Sequence, residues 1–326
     1  MRRSIRTDLA MEAREMAQQQ NQMEIPGVIT ETVTPDEDIT ITRVEVVSLI
    51  GEENIGKPRG NYITLEIPGI SDRDAIYEEQ VKQHLANEIR RLVQLNDNSV
   101  ILVIGLGNWN VTPDAVGPKV VEKVLVTRHI FEYLPDQVDE RMRQICAAAP
   151  GVLGITGIET GEIVKGIVDR VKPDLVIAID ALASRKTNRI GSTIQVADTG
   201  INPGSGVGNK RMGLTKETLG VPTLAIGVPT VVYAHTIGRD ALEMLINEFS
   251  EQDHENNEFY RMLNTLDEEH LDRLLGEVLT EGLGDLVVTP KEVDILIDDA
   301  AGIIADGINL AIHNGLSLDD VNRYLH

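Results

Sequence analysis

Ser99-Val100-Ile101-Leu102-Val103-Ile104 runs straight into Gly105-Leu106-Gly107-Asn108. A short apolar run of this kind belongs to a strand covered on both faces, and the glycines after it mark a turn. A second run, Asp174-Leu175-Val176-Ile177-Ala178-Ile179, is closed by Asp180. Thr193 to Ala197 and Thr223 to Ile226 read as further strands. Between the runs lie segments of helical character. Ile76, Val81, Leu85, Ile89 and Leu92 recur at helical spacing, so Arg73 to Gln94 reads as an amphipathic helix. Other helices follow Pro118, to about Tyr133, and span Ile163 to Val171. Buried strand, loop and helix in repetition predict the α/β class: three α/β/α layers around a largely parallel central sheet, with a helical C-terminal part.

Towards the N-terminus the pattern weakens. Residues 1 to about 40 are polar and read as a short helix, then an irregular segment through Pro26-Gly27 and Pro35. Val44 to Ile50 and Tyr62 to Ile67 read as strands either side of a Gly/Pro-rich loop. Beyond His235 the chain turns helical and acidic, with a charge-rich excursion at about 240–285.

Composition narrows the class. The 326 residues are 42% hydrophobic and 25% charged, as in a soluble globular protein. Aromatic residues are only 3%, so the core rests on Ile, Leu, Val and Ala. A net charge of −22 opposes direct binding to nucleic acid or anionic membranes and suits a basic or neutral protein partner. Cys146 is the single cysteine; it excludes an internal disulfide, agrees with a reducing cytoplasm and reads as a buried structural thiol. The charged N-terminus has no apolar core of a signal peptide, and no run of about 18 apolar residues is present to span a membrane.

Two aspartates occupy comparable places. Asp114 lies in Thr112-Pro113-Asp114-Ala115-Val116-Gly117-Pro118, after the first buried run, and Asp180 closes the second. In a parallel sheet both positions open on one edge, where active sites of such folds lie. Two carboxylates there can share a water and a proton, one acting as base and the other as acid. The same residues also suit structural work, Asp114 as a helix cap and Asp180 in a turn. Neither Gly105-Leu106-Gly107-Asn108-Trp109-Asn110 nor Gly204-Ser205-Gly206-Val207-Gly208-Asn209 has the third glycine of a dinucleotide loop. The second leaves a loop whose Lys210 and Arg211 can bind a carboxylate or polarise a carbonyl. The histidines form no HExxH pair, since His254-Glu255-Asn256-Asn257-Glu258 ends in glutamate. Asp114, Asp180 and His235 form an alternative divalent-metal set, with His235 at a helix start as the plainer reading.

Six ordered blocks, quoted as they stand, resemble the germination proteases of spore-forming bacteria along nearly the whole chain. They are Ile5-Arg6-Thr7-Asp8-Leu9-Ala10; Gly105-Leu106-Gly107-Asn108 with Thr112 to Pro118; and Ala149-Pro150-Gly151-Val152 with Thr156-Gly157 and Glu159-Thr160. Asp180-Ala181-Leu182-Ala183-Ser184-Arg185, Pro203 to Arg211, and Gly227-Val228-Pro229-Thr230-Val231-Val232 complete the series. The resemblance implies a homotetrameric aspartic-type endopeptidase of the spore core cytoplasm, related to hydrogenase maturation proteases. Its substrates are small acid-soluble spore proteins. It implies Asp114 and Asp180 as the catalytic pair; we expect no cofactor and no tightly held metal ion, with a divalent ion held by Asp114, Asp180 and His235 as the alternative. The family cuts after an acidic residue and before an apolar one, so Arg185, Lys210 and Arg211 are expected at the substrate. Thr7-Asp8-Leu9-Ala10-Met11-Glu12 resembles the sequence the family cuts, which implies a zymogen processed between Asp8 and Leu9. Residues 1–8 are then a propeptide and 9–326 a single α/β peptidase domain. One departure stands out: the family usually follows Pro-Thr-Val-Val with aspartate and alanine, whereas here Tyr233, Ala234 and His235 follow.

Overall fold

The computed structural model describes residues 7–21, 24–69, 74–202, 212–238, 240, 241, 244 and 286–325. The chain opens with α1 (Ala10–Asn21), β1 (Val28–Asp36), β2 (Ile39–Val46), α2 (Leu49–Ile55), β3 (Gly60–Glu66) and α3 (Ala75–Leu92). Next come β4 (Val100–Gly105), α4 (Val116–Lys123), α5 (Arg128–Tyr133), β5 (Gln144–Ala148), α6 (Leu153–Thr156), α7 (Thr160–Val171) and β6 (Leu175–Ser184). After β7 (Thr193–Ala197), α8 (Lys216–Leu219) and β8 (Thr223–Tyr233), the described C-terminal part holds β9 (Val287–Val288), α9 (Val293–Ile312) and α10 (Leu318–Leu325). Most of the stretch at about 240–285 and residues 203–211 lie outside the described residues.

The strands form one sheet in the order β1-β2-β3-β7-β8-β6-β4-β5, with β9 added to β8. β5, β4, β6 and β8 pair in parallel, as the buried runs led us to expect. From β8 through β7, β3 and β2 to β1 the pairing is antiparallel. This antiparallel wing contains the segment read as irregular. β1 is too exposed to carry a clear apolar pattern, alternating between exposed and half-buried residues, and it is held by its ladder to β2.

Alternation along the central strands feeds two helical layers. Ile101 and Val103 of β4 and Ile177 and Ile179 of β6 join the core under α3, α4 and α9. Leu102, Ile104, Val176 and Ala178 face the other way, with Val164 and Val168 of α7. On that same side α1 lays Ala10, Ala13 and Ala17 against Val44, Val46, Tyr62 and Ala197. α9 crosses the first layer closely because Gly307 meets α3 without a side chain; a Cβ there would stand 2.7 Å from Leu85 Cδ2.

Three boundaries differ from expectation for identifiable reasons. The Val44 to Ile50 strand stops at Val46, because Ser48 accepts the Gly51 N–H at 3.2 Å and starts α2. The long helix after Pro118 is two helices, since Thr127 leaves it to bond β5 through its amide, 2.9 Å from the Ile145 carbonyl. β6 does not end at Ile179; it runs on to Ser184 because β8 continues beside it, pairing Asp180 with Gly227 and Ser184 with Val232.

Candidate active site

Asp114 is placed by backbone contacts that only glycine allows. Leu106 donates its amide to the Ile179 carbonyl at 2.8 Å, joining the end of β4 to β6 just before Asp180. The Thr112–Asp114 turn folds back on this junction, and the Asp114 carbonyl accepts the Asn108 N–H at 3.1 Å. Gly107, at φ 113°, lies so close that a Cβ would be 1.9 Å from the Asp114 carbonyl oxygen. A Cβ on Gly117 would be 2.3 Å from the Leu106 oxygen and 2.7 Å from that of Ile179. Gly107 and Gly117 therefore serve a close approach of backbones, and that approach brings Asp114 to the edge holding Asp180.

Both carboxylates line one cavity of about 520 Å³, together with Asp8, Lys57, Gln195 and Gly227. Asp180 is the first residue of β6 beyond the pairing with β4, which ends at Gly105 and Ile179. Ile179, Ile226 and Val196 all point into the core under α3, α4 and α9. Their neighbours Asp180, Gly227 and Gln195 therefore face the opposite side, and the ladder aligns them in one row across β6, β8 and β7. Asp180 and Gln195 then stand about 10 Å apart at their Cα atoms, two strand spacings. Asp180 also accepts the Ala181 N–H on Oδ1 at 2.9 Å.

The N-terminal segment enters this cavity. Asp8 donates its amide to the Ala183 carbonyl at 3.0 Å, and its carboxylate accepts the Ala183 N–H at 2.8 Å. The Asp8 carbonyl oxygen accepts from Lys57 Nζ at 2.9 Å and from Gln195 Nε2 at 3.3 Å. Gln195 Oε1 in turn accepts the Ala10 N–H at 2.7 Å. Leu9 and Ala10 are fully buried, so the Asp8–Leu9 bond is packed, not dangling.

Four residues on, Glu12 is 1% exposed and accepts the amides of Arg185 at 2.7 Å and Lys186 at 3.0 Å, with Arg189 Nη1 at 3.0 Å. Arg189 also binds Glu15 at 2.6 Å. Charge-assisted bonds of this kind contribute about 1.5–3 kcal/mol each, which holds α1 on the sheet. The Arg189 guanidinium, its hydrogen bonds offsetting burial, lowers the Glu15 carboxyl below its ordinary value. Burial pushes the Lys57 ammonium below its ordinary value, and the Asp8 and Glu12 carboxylates pull it back.

The expected residues divide. Asp114, Asp180, Asp8 and Leu9 gather at or beside the cavity. The Arg185 guanidinium reaches Asp240 at 3.4 Å, and its backbone amide donates to Glu12 of the N-terminal segment at 2.7 Å. Lys210 and Arg211 lie outside the described residues. Tyr233 lines the cavity and stacks against His235, ring centroids 5.3 Å apart. Among the described residues no three His, Cys, Asp or Glu side chains gather closely enough to hold a metal ion, so the alternative set of Asp114, Asp180 and His235 is not assembled. His254 lies outside the described residues. Cys146 sits in β5, half-buried, its thiol raised above its ordinary value by burial and donating to the Ile101 carbonyl at 3.6 Å.

Lys57, Gln195 and Arg189 were not singled out by sequence. Lys57 had a local signal: Ile55-Gly56-Lys57-Pro58 stops α2 at Gly56, φ 65°, and sets a lysine before proline. A residue before proline is confined to extended backbone, so the lysine leaves the helix in a fixed direction. Tyr62 Oη fastens the turn by donating to the Pro58 carbonyl at 2.8 Å.

Known proteins resemble this chain along nearly its whole length. The profile of the germination protease family matches residues 6–265 and 250–325. A germination protease of Caldanaerobacter subterraneus subsp. tengcongensis is 54% identical over 99% of this chain and 98% of its own. Those of Clostridium tetani and Bacillus cereus are 49% and 44% identical, each over 99% of this chain and over 100% and 97% of their own lengths. Among solved structures, a NiFe hydrogenase maturation protease from Thermococcus kodakarensis matches 44% of this chain and 80% of its own at 22% identity. Its TM-score of 0.27 is too low to carry an argument. Six sequence blocks, the two-aspartate cavity and full-length relatives converge: this chain is a peptidase and belongs to the germination protease family.

Proposed function

We propose that the chain is an endopeptidase that begins the degradation of small acid-soluble spore proteins during germination. It cuts after an acidic residue and before an apolar one, and is made as a zymogen that removes its own residues 1–8. Asp114 and Asp180 work as a pair. One takes a proton from water as the water oxygen adds to the carbonyl carbon; the other, protonated, gives a proton to the departing amine. The C–N bond breaks, leaving a carboxylic acid on the acidic residue and a free amine on the apolar one. No tightly held metal ion takes part. The enzyme acts as a homotetramer in the spore core cytoplasm, without direct contact to nucleic acid or membrane. Among the described residues no helix is long and apolar enough to cross a membrane.

One observation carries this reading. Asp8, in a stretch of the type the family cuts, lines the same cavity as Asp114 and Asp180. It also suggests how an acidic residue before the scissile bond is recognised: by the Ala183 N–H of β6, with the Lys57 charge nearby. Incubating the activated protein with a purified small acid-soluble spore protein tests it. Fragments that begin with the apolar residue after an acidic one are expected. Tight binding without cleavage would make the chain a binding relative that lacks catalysis.

A further inference from the structure

We propose that Lys57 is a catalytic residue that holds and polarises the carbonyl of the bond being cut, with Gln195 as its partner donor. The assignment rests on Asp8–Leu9 being the processed bond. Both donors converge on a single oxygen: Lys57 Nζ at 2.9 Å and Gln195 Nε2 at 3.3 Å from the Asp8 carbonyl. Two converging N–H donors on one carbonyl oxygen are the arrangement that stabilises an oxyanion.

The surroundings fix both donors in advance. Lys57 follows the Gly56 helix stop and precedes Pro58, so its backbone has little freedom. Its Nζ also donates to the Thr7 carbonyl at 3.2 Å, which leaves the amine aimed along the entering chain. Gln195 is anchored at its other end by the Ala10 N–H and sits in β7, 8% exposed. It shares the Gly227 row with Asp180, so the carbonyl is presented on the face that carries the acid pair.

As water adds to the Asp8 carbonyl carbon, the C=O electron pair moves onto oxygen, between the ammonium and the amide. That charge collapses back as the bond to the Leu9 nitrogen breaks and the nitrogen takes its proton from the carboxylic acid of the pair. Lys57 and Gln195 neither gain nor lose a proton. They are more strongly bonded when the oxygen is charged than when it is a neutral carbonyl, which is the difference that raises a rate. A protein substrate whose acidic residue occupies the Asp8 position would offer its carbonyl to the same two donors.

The experiment follows self-cleavage of the full chain by mass spectrometry, comparing wild type with Lys57→Met and Lys57→Arg. Methionine keeps an apolar stem of similar reach and removes the donor. Hydrogen exchange at the Ala10 amide reports whether the segment stays docked. The expected result is a first-order rate about 100-fold lower in Lys57→Met, an intermediate rate in Lys57→Arg, and wild-type protection of Ala10 in both. A Lys57→Met rate within twofold of wild type overturns the assignment, as does a slow rate accompanied by lost protection, which would make Lys57 a docking residue. A wild-type chain that never cuts Asp8–Leu9 overturns the self-processing reading and this assignment together.

Discussion

Asp180 and Gln195 flank Gly227 in one row of the sheet and on one face of it, so Asp180 and the holder of the Asp8 carbonyl share a single floor, with Asp114 lining the same cavity. The row exists because β8 pairs with one edge of β6 through this level, while on the other edge the pairing with β4 stops one residue earlier, at Gly105 and Ile179. A Cβ on Gly227 would come 2.4 Å from Leu182 Cδ1, so the glycine also makes room for Leu182 to lean across the floor.

The acid pair is the first target. Asp180→Asn keeps size and the Ala181 contact but removes the proton-transfer group. Degradation of a small spore protein should fall to background in this variant while the circular dichroism spectrum and the melting temperature stay near wild type. Turnover at the wild-type rate would remove Asp180 from the mechanism.

Gly117→Ala tests the seat of Asp114. Its methyl would press on the Leu106 and Ile179 carbonyls, which cannot move without parting β4 from β6. A loss of about 3 kcal/mol is expected from overpacking against backbone, read from the urea midpoint. An unchanged midpoint would show that the turn has slack there.

Glu12 tests the anchor of the N-terminal segment. Glu12→Gln leaves Arg189 with Glu15 but faces the Arg185 and Lys186 amides with a weaker, uncharged acceptor. Losing one partner of a buried pair costs about 3–5 kcal/mol, and the surviving Glu15 contact argues for the lower end. The opening free energy at the Ala10 amide, measured by hydrogen exchange, should drop accordingly; equal protection in both proteins would show that Glu12 is not an anchor and leave the docking to the remaining contacts of Asp8, Ala10 and Glu15.

His313 gives a pH dependence remote from the site. Burial, then the Arg143 charge, pushes its pKa down to about 4 from 6.5, and its Nδ1 accepts the Arg143 N–H at 3.1 Å. The folded state thus binds fewer protons than the unfolded state between these values. Stability that is present above pH 6.5 is lost as pH falls towards 4, by a total of about 3 kcal/mol. Urea unfolding across this window should show the slope, and His313→Gln should flatten it. An identical slope in the variant would assign it to the carboxylates.

The parallel core was legible because its strands are buried on both faces and read as unbroken apolar runs, as in Val100 to Ile104. β1 was not, because its residues are half-buried at most and its place is set by pairing, which leaves no local trace. Asp114 and Asp180 stood out as candidates because each follows a buried apolar run, Asp114 in the loop after Val100 to Ile104 and Asp180 directly after Ile177-Ala178-Ile179. Lys57 and Gln195 did not, since their meeting with Asp8 joins segments far apart in the chain, and Gln195 within an apolar strand reads as ordinary alternation. The Arg185 amide bond to Glu12 was not legible either, because a backbone contact leaves no trace in residue type.

The central claim is that Asp114 and Asp180 cut the chain's own Asp8–Leu9 bond. Intact-mass spectrometry of the full chain under activating conditions, beside Asp114→Asn treated identically, tests it most directly. Wild type should lose residues 1–8 and acquire Leu9 as its new terminus, while Asp114→Asn stays full length. Trimming of Asp114→Asn at that same bond would contradict the account, because a different protease or a different residue would then be making the cut.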